Sequence, residues 1–410
     1  MKMRSSWKTL ACGRCNVAEG LPNELRDRIQ GELEFLRERA QLRELITLHG
    51  INLSSNDYLG LATDSRLKEA VLRAVAESPA MGSTGSRLLS GNSREWEQLE
   101  VEFSKFAGTE AAIYFGSGYA ANLGLLSSIL RPGDVVFSDV LNHASLIDGM
   151  RLSGATKVIF PHCDTKFLER ALREHASLGG ARVIVTEGVF SMEGDVAPLA
   201  EYLRLAREYN AGLVVDEAHA TGVRGPEGRG VMAEIGRERD ALATVHTCGK
   251  ALASAGAIVC GTTALKEFLV NRARTFIFST AMPPYMAGQI RAALEIARGA
   301  EDRRDHLRAI SDVLRSRLGA AGVKTGRSTT QIVPIYLGSN EAAVHVAAAI
   351  QAHGFAAKAI RPPTVPPGTS RIRISLTSAI SAAEAARLAD VIIAACNSLI
   401  ETSPANVAHA

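Results

Sequence analysis

The sequence predicts an α/β protein with a mostly parallel, seven-stranded central sheet and a smaller C-terminal α+β lobe. Three observations carry this. Helical patterns separate most of seven short apolar runs, as in a mostly parallel sheet covered on both faces. Polar and ionisable residues gather just after those runs rather than inside them. The tract Met282-Pro283-Pro284 then ends the alternation, and a different arrangement of helices and strands follows.

The elements are expected in this order. A charged amphipathic helix covers about 21–48, with Leu25, Ile29, Leu33, Leu36, Leu42 and Leu45 near helical spacing. Ile51-Asn52-Leu53 is a short extended piece leading into Ser54–Gly60. The seven strand candidates are Ala112–Phe115, Val135–Ser138, Lys157–Phe160, Val183–Thr186, Leu213–Val215, Thr244–His246 and Ala257–Cys260. One long helix is expected over about 285–318. A strand near Gln331–Leu337, a helix near Glu341–His353, a strand ending at Arg361, a strand over Arg371–Leu376 and a closing helix complete the chain. Three regions follow: an extension and helical arm over 1–58, a large α/β domain over 59–290 and a small domain over 291–410.

Size and charge narrow the classes of function. The 410 residues, 46% of them hydrophobic and 22% charged, suit a globular chain of two or three lobes. A net charge of +3 without a long basic block gives no reason to expect a nucleic acid or membrane partner. No apolar run reaches transmembrane length, and no hydrophobic stretch follows the basic start Met1–Lys8. A cytoplasmic location is expected. Six cysteines in a chain of this size imply reduced thiols. Cys12-Gly13-Arg14-Cys15 has CxxC spacing but neither a second ligand pair nor an adjoining βαβ unit, so no metal is expected.

Ligands in open α/β sheets sit outside the carboxyl ends of the strands. Those ends hold Gly116-Ser117-Gly118-Tyr119, then Asn142-His143, then Glu187 through Ser191, then Asp216 and His219, then Thr247 and Lys250. Gly116-x-Gly118-x-x-Ala121 also matches the loose dinucleotide fingerprint, and on that motif alone a dehydrogenase stays open. In either case its backbone N–H groups would meet a phosphate at a helix N-terminus. Asp216-Glu217-Ala218-His219 spells a helicase motif, but the chain has no Walker A loop. Hydride transfer has no use for Asp216, His219 and Lys250 together. Pyridoxal phosphate (PLP) chemistry does: a lysine amine joins the cofactor aldehyde, and a carboxylate keeps the pyridine nitrogen protonated.

Two features have bland alternatives. His143 alone could simply cap a helix. Arg371 and Arg373 alternate along one strand and face the same way, as on a solvated sheet face or as a fork for a substrate carboxylate.

With these residues assembled, the chain resembles the α-oxoamine synthases, a branch of the fold-type I PLP-dependent transferases, from about 21 to 400. The matching segments are SSNDYLGL (54–61), NHASLIDG (142–149), TEGVFSMEGD (186–195), DEAHATG (216–222), STAMPP (279–284) and RPPTVPPGTSRIRIS (361–375). The last two are most similar to the branch member that joins L-alanine to a pimeloyl thioester, on coenzyme A or acyl carrier protein, in biotin synthesis. Glycine-using members share the chemistry and remain the alternative.

The resemblance implies the cofactor pyridoxal 5′-phosphate, with Lys250 bonded to it, Asp216 at its ring nitrogen, His219 at its phenolic oxygen and His143 on its ring face. Gly118, Tyr119, Ser191 and Thr247 would line the cofactor and its phosphate. Thr280 would reach the phosphate in the partner of a homodimer. Arg373, Thr364 and Asn56 would meet substrate, and Arg43 the pimeloyl end. Cys248 stands where the family usually has a bulkier apolar residue, and Ala251–Ala255 lacks the glycines that often follow the lysine.

Overall fold

The computed structural model describes residues 23–401 apart from 40, 46, 48 and 363. The Cys12–Cys15 pair lies outside them. Twelve strands are described: β1 (Ile51–Asn52), β2 (Ala111–Phe115), β3 (Val135–Asp139), β4 (Thr156–Phe160), β5 (Arg182–Glu187), β6 (Gly212–Asp216), β7 (Ala243–Thr247), β8 (Ala257–Gly261), β9 (Ile332–Gly338), β10 (Phe355–Ala356), β11 (Ala359–Ile360) and β12 (Ser370–Ser375).

All seven expected strands join one sheet, in the order β2-β8-β7-β6-β5-β3-β4. β3 to β7 are mutually parallel where they pair, and β8 runs antiparallel to both neighbours. Helices on both faces bury these strands, which is why they read as apolar runs without alternation. The edge strand β4 is the exception. Its Lys157 and Ile159 are open to solvent, and a lysine on an exposed edge discourages pairing with another chain.

The small lobe has a three-stranded antiparallel sheet, β11-β12-β9, backed by helices Glu301–Ala320, Asn340–Ala352 and Ala382–Glu401. β1 pairs with β10, and the Ser375 N–H donates to the Leu53 carbonyl at 2.8 Å. The segment entering Asn56 and Tyr58 is thus stitched to the small lobe, close to the sheet that carries Arg373.

Two helix expectations change. The arm helix spans only Asn23–Glu38 and buries no residue; among the described residues nothing covers its apolar stripe, and Ile29 and Phe35 are exposed. The long helix is two, Tyr285–Arg298 and Glu301–Ala320. Its break has a visible cause. The buried Arg304 guanidinium turns back to donate to the carbonyls of Ala297 (2.5 Å) and Arg298 (3.1 Å) and to Glu301 (2.8 Å), satisfying groups that a helix end leaves open.

Candidate active site

Parallel strands deliver their C-terminal residues to one edge, and here that edge is a cavity of about 440 Å³. Asn56, Gly118, Tyr119, His143, Asp216, His219, Thr247 and Lys250 all line it. β2 leads into the helix Gly118–Ile129, whose Ser117 cap accepts from the Ala120 N–H at 3.0 Å. First-turn N–H groups of such a helix have no intrahelical acceptor and suit a phosphate. Gly118 is required here: a Cβ would stand 2.9 Å from Thr247 Cγ2.

Asp216 ends β6, buried, with both oxygens accepting. Oδ1 takes the Ala218 N–H at 2.9 Å and Oδ2 takes the Asn122 amide at 2.7 Å. Both donors leave lone pairs free for a further cationic donor. Glu187 is paired in register with Asp216 on β5. Burial, with the Asp216 charge added, raises its pKa well above the carboxylate range.

Lys250 follows β7, with Nζ 3.5 Å from Thr247 Oγ1. Desolvation lowers its pKa and favours the neutral, nucleophilic amine, while the charges of Asp216 and Glu187 pull the other way. Ala253 in the turn behind it has φ of 44°, a left-handed conformation that suits glycine. The missing glycines therefore leave their trace as backbone strain beside Lys250. Bonds from the Ala253 N–H to the Lys250 carbonyl (2.9 Å) and from Gln289 to the Ala253 carbonyl (3.0 Å) hold the turn.

His219 is buried, and burial reinforced by the nearby Lys250 charge holds its pKa well below normal. Its Nδ1 lies 2.6 Å from the Tyr58 hydroxyl. The same hydroxyl lies 3.1 Å from Asn56 Oδ1, which also accepts from Arg373 at 3.1 Å; a Tyr58 proton directed to Nδ1 would leave Nε2 of His219 as a donor. His143 opens onto the cavity, whose walls still desolvate it enough to lower its pKa.

The remaining expected residues lie outside this cavity. Arg373 Nε donates to the Ser191 carbonyl at 2.5 Å and Nη1 to Ser375 Oγ at 2.6 Å, leaving Arg373 beside Asn56 on the small-lobe side. Arg371 does not act as its twin: it is buried against Glu193 at 2.8 Å and stacks on Tyr336, so neither a solvated face nor a fork describes the pair. Thr280 is exposed and lines a separate hollow of about 230 Å³ with Gly116 and Ser117. Arg43 and Thr364 meet directly, Nη2 to Oγ1 at 2.7 Å, in a groove of about 630 Å³ against the small lobe.

Several contributors carried no expected role: Tyr58, Asn122, Ser145 and Glu187, which hold the residues named above, and His162. The His162 ring is clasped between Asp139 (3.1 Å) and Asp195 (2.9 Å), tying the loop before His143 to the loop after Ser191. The signal for Asn122 was its spacing of one helical turn from Gly118, which puts both on the same helix face.

Residues 49–392 match the family described as aminotransferase class I and II. The 8-amino-7-oxononanoate synthase of Geobacter sulfurreducens is 45% identical over 363 residues, 85% of this chain and 92% of that protein. Among solved structures, SPT with a PLP internal aldimine superposes with a TM-score of 0.84 at 28% identity, covering 92% of this chain and 98% of that one. The chain belongs to the α-oxoamine synthases, within the class I and II aminotransferases. The 8-amino-7-oxononanoate synthase of Francisella tularensis gives 0.74 at 28% identity, over 86% and 99% of the two chains.

The cofactor of this fold-type I enzyme is pyridoxal 5′-phosphate, and the dinucleotide reading of the Gly116 loop is set aside. The donor set fits that cofactor. An amine of lowered pKa, a carboxylate that accepts through both oxygens, an imidazole and a helix N-terminus face one cavity.

Proposed function

We propose that this α-oxoamine synthase condenses L-alanine with a pimeloyl thioester, releasing carbon dioxide and thiol, to give 8-amino-7-oxononanoate for biotin synthesis. The carrying observation is that Lys250, Asp216, His143 and His219 line one cavity with Asn56, which Arg373 borders. The shared name of relatives 40–46% identical over most of the chain supports the product.

Lys250 would hold the cofactor aldehyde covalently, and the helix N-terminus at Gly118 and Tyr119, with Thr247, would take its phosphate. When bound, the cofactor ring supplies an electron sink for charge left on the alanine Cα. Asp216 would hold the ring-nitrogen proton, and the His219 imidazole would meet the phenolic oxygen, with Ser191 nearby. His143 would cover the ring face. Arg373, aided by Asn56, anchors the alanine carboxylate, so the Cα–H bond is presented to Lys250. Once the alanine amine has displaced it from the aldehyde, the freed Lys250 amine would take that proton as a base, and the carbon would attack the thioester carbonyl. The thiol leaves, the carboxylate departs as carbon dioxide, and Lys250 returns a proton to Cα.

Arg43 and Thr364 would receive the far carboxylate of the pimeloyl chain. Thr280 would complete the phosphate site of a partner subunit in a homodimer. The setting we infer is cytoplasmic; no described helix is long and apolar enough to cross a membrane.

Thiol release should be fastest with alanine and a pimeloyl thioester on coenzyme A or acyl carrier protein. Faster release with glycine and acetyl or succinyl thioesters would assign the chain to the glycine-using members instead.

A further inference from the structure

Helix Gly118–Ile129 sends one side chain between the two residues whose protonation matters most. Asn122 is buried, and its amide donates to Asp216 Oδ2 at 2.7 Å and to Ser145 Oγ at 2.9 Å. An amide has two hydrogens, so both are used. The opposite orientation would press the Asn122 carbonyl against the Asp216 carboxylate, oxygen to oxygen.

The direction then propagates. Ser145 Oγ accepts from Asn122 and turns its own hydrogen to His143 Nδ1, 2.7 Å away. The Ser145 backbone N–H points at the same nitrogen, at 3.2 Å. With donors on Nδ1 from hydroxyl and backbone, that nitrogen has no place for a proton of its own. The charged groups facing His143 do not fix this outcome, because they oppose each other: Asp216 favours the imidazolium and Lys250 disfavours it. The ring of Tyr119 meets His143 edge-on at 6.5 Å, and its hydroxyl is engaged by Asp148.

We propose that Asn122 and Ser145 are positioning residues that set the polarity of the site, holding Asp216 as a pure acceptor and His143 as the neutral Nε2–H tautomer. One amide thereby couples the acid that meets the ring nitrogen to the imidazole that covers the ring. An imidazolium at His143 would oppose a cationic ring beside it, so keeping it neutral preserves the pull of Asp216. The inference rests on the roles given above to Asp216 and His143, but not on which acyl donor or amino acid is used.

The test is ¹⁵N NMR of histidine-labelled holoenzyme across pH 5.5–8.5, with His143 assigned through His143→Gln. The wild type should show protonated Nε2 and bare Nδ1 throughout. Ser145→Ala removes the hydroxyl donor and should mix the tautomers and raise the His143 pKa by about one unit, a tenfold change in protonation. Asn122→Ala leaves Ser145 in place yet should produce the same change, which a space-filling role for Asn122 does not predict. Ser145→Thr keeps the hydroxyl and should restore the wild-type spectrum. Any folded alanine variant with wild-type His143 shifts and titration overturns the proposal. So does a wild type with its proton on Nδ1. Because no substrate is present, failure here is distinct from failure to turn over alanine.

Discussion

The strand-end cavity and the small-lobe groove both carry residues assigned to substrate, yet they are built differently. In the cavity every reactive side chain has partners of its own: Asp216 has two donors, His219 has Tyr58, and His143 has Ser145. Behind it the Asp139–His162–Asp195 clasp binds two loops together. In the groove, Arg43 and Thr364 are exposed and hold one another by a single hydrogen bond. A reaction step needs side chains preorganised to fractions of an ångström, whereas an acyl tail needs mainly complementary charge and room. The contrast supports the proposal that chemistry belongs to the cavity and selection of the acyl end to the groove.

The sharpest way to break that assignment is Lys250→Ala, expected to abolish turnover and borohydride-trappable label; near-normal thiol release would remove chemistry from the cavity. Next, Asp216→Ala should slow exchange of the alanine α-proton by about 10²–10³-fold, the usual loss of one aimed electrostatic partner. Unchanged exchange would deny Asp216 its role.

Two arginines then separate the regions directly. Arg373→Ala should raise KM for alanine by about 10–100-fold, the worth of a charge-assisted hydrogen bond, and leave KM for the thioester near its original value. Arg43→Ala should do the reverse, by about tenfold or less, because its exposed charge is screened. If both variants move the same KM, the groove and the cavity are one site.

A smaller effect tests how the cavity is held. Its aspartate partners push the His162 pKa up to about 12, against the cost of burial, from an unfolded value near 6.5. The folded state thus holds a proton that the unfolded state releases. The stability this contributes is full below about pH 6.5 and declines on the way to 12, with a slope of at most about 1.4 kcal/mol per pH unit. Denaturant titrations at pH 6, 8 and 10 should show the decline in the wild type and a flatter profile in His162→Gln. Parallel profiles would contradict the clasp. Smallest of all, Ala253→Gly should stabilise the protein by about 0.5–1 kcal/mol by relieving the left-handed alanine. A loss of stability would mean that the turn is not strained.

Much of this was legible in the chain itself. The seven strands are legible because buried parallel strands leave uninterrupted apolar runs, and their ends are found by simply reading the next residues. The helix break at Gly299–Ala300 was not, since it depends on Arg304 folding back on carbonyls that a helical pattern leaves undistinguished. Nor was the difference between Arg371 and Arg373. Alternation puts both on one face, but only Glu193 and Asn56, brought from other loops, decide which is consumed by an ion pair.

What the sequence by itself determined is the kit: strand-end residues, their order, and the lysine and acid to which the proposed chemistry is given. Only the tertiary structure decided their coupling. Asn122 and Asp216 lie 94 residues apart, and Arg43 and Thr364 lie 321 apart. Local pattern reports which face of an element is buried; it carries no information on which strand lies beside which. The order β2-β8-β7-β6-β5-β3-β4 supplies that, and with it the single amide that touches both an acid and a hydroxyl.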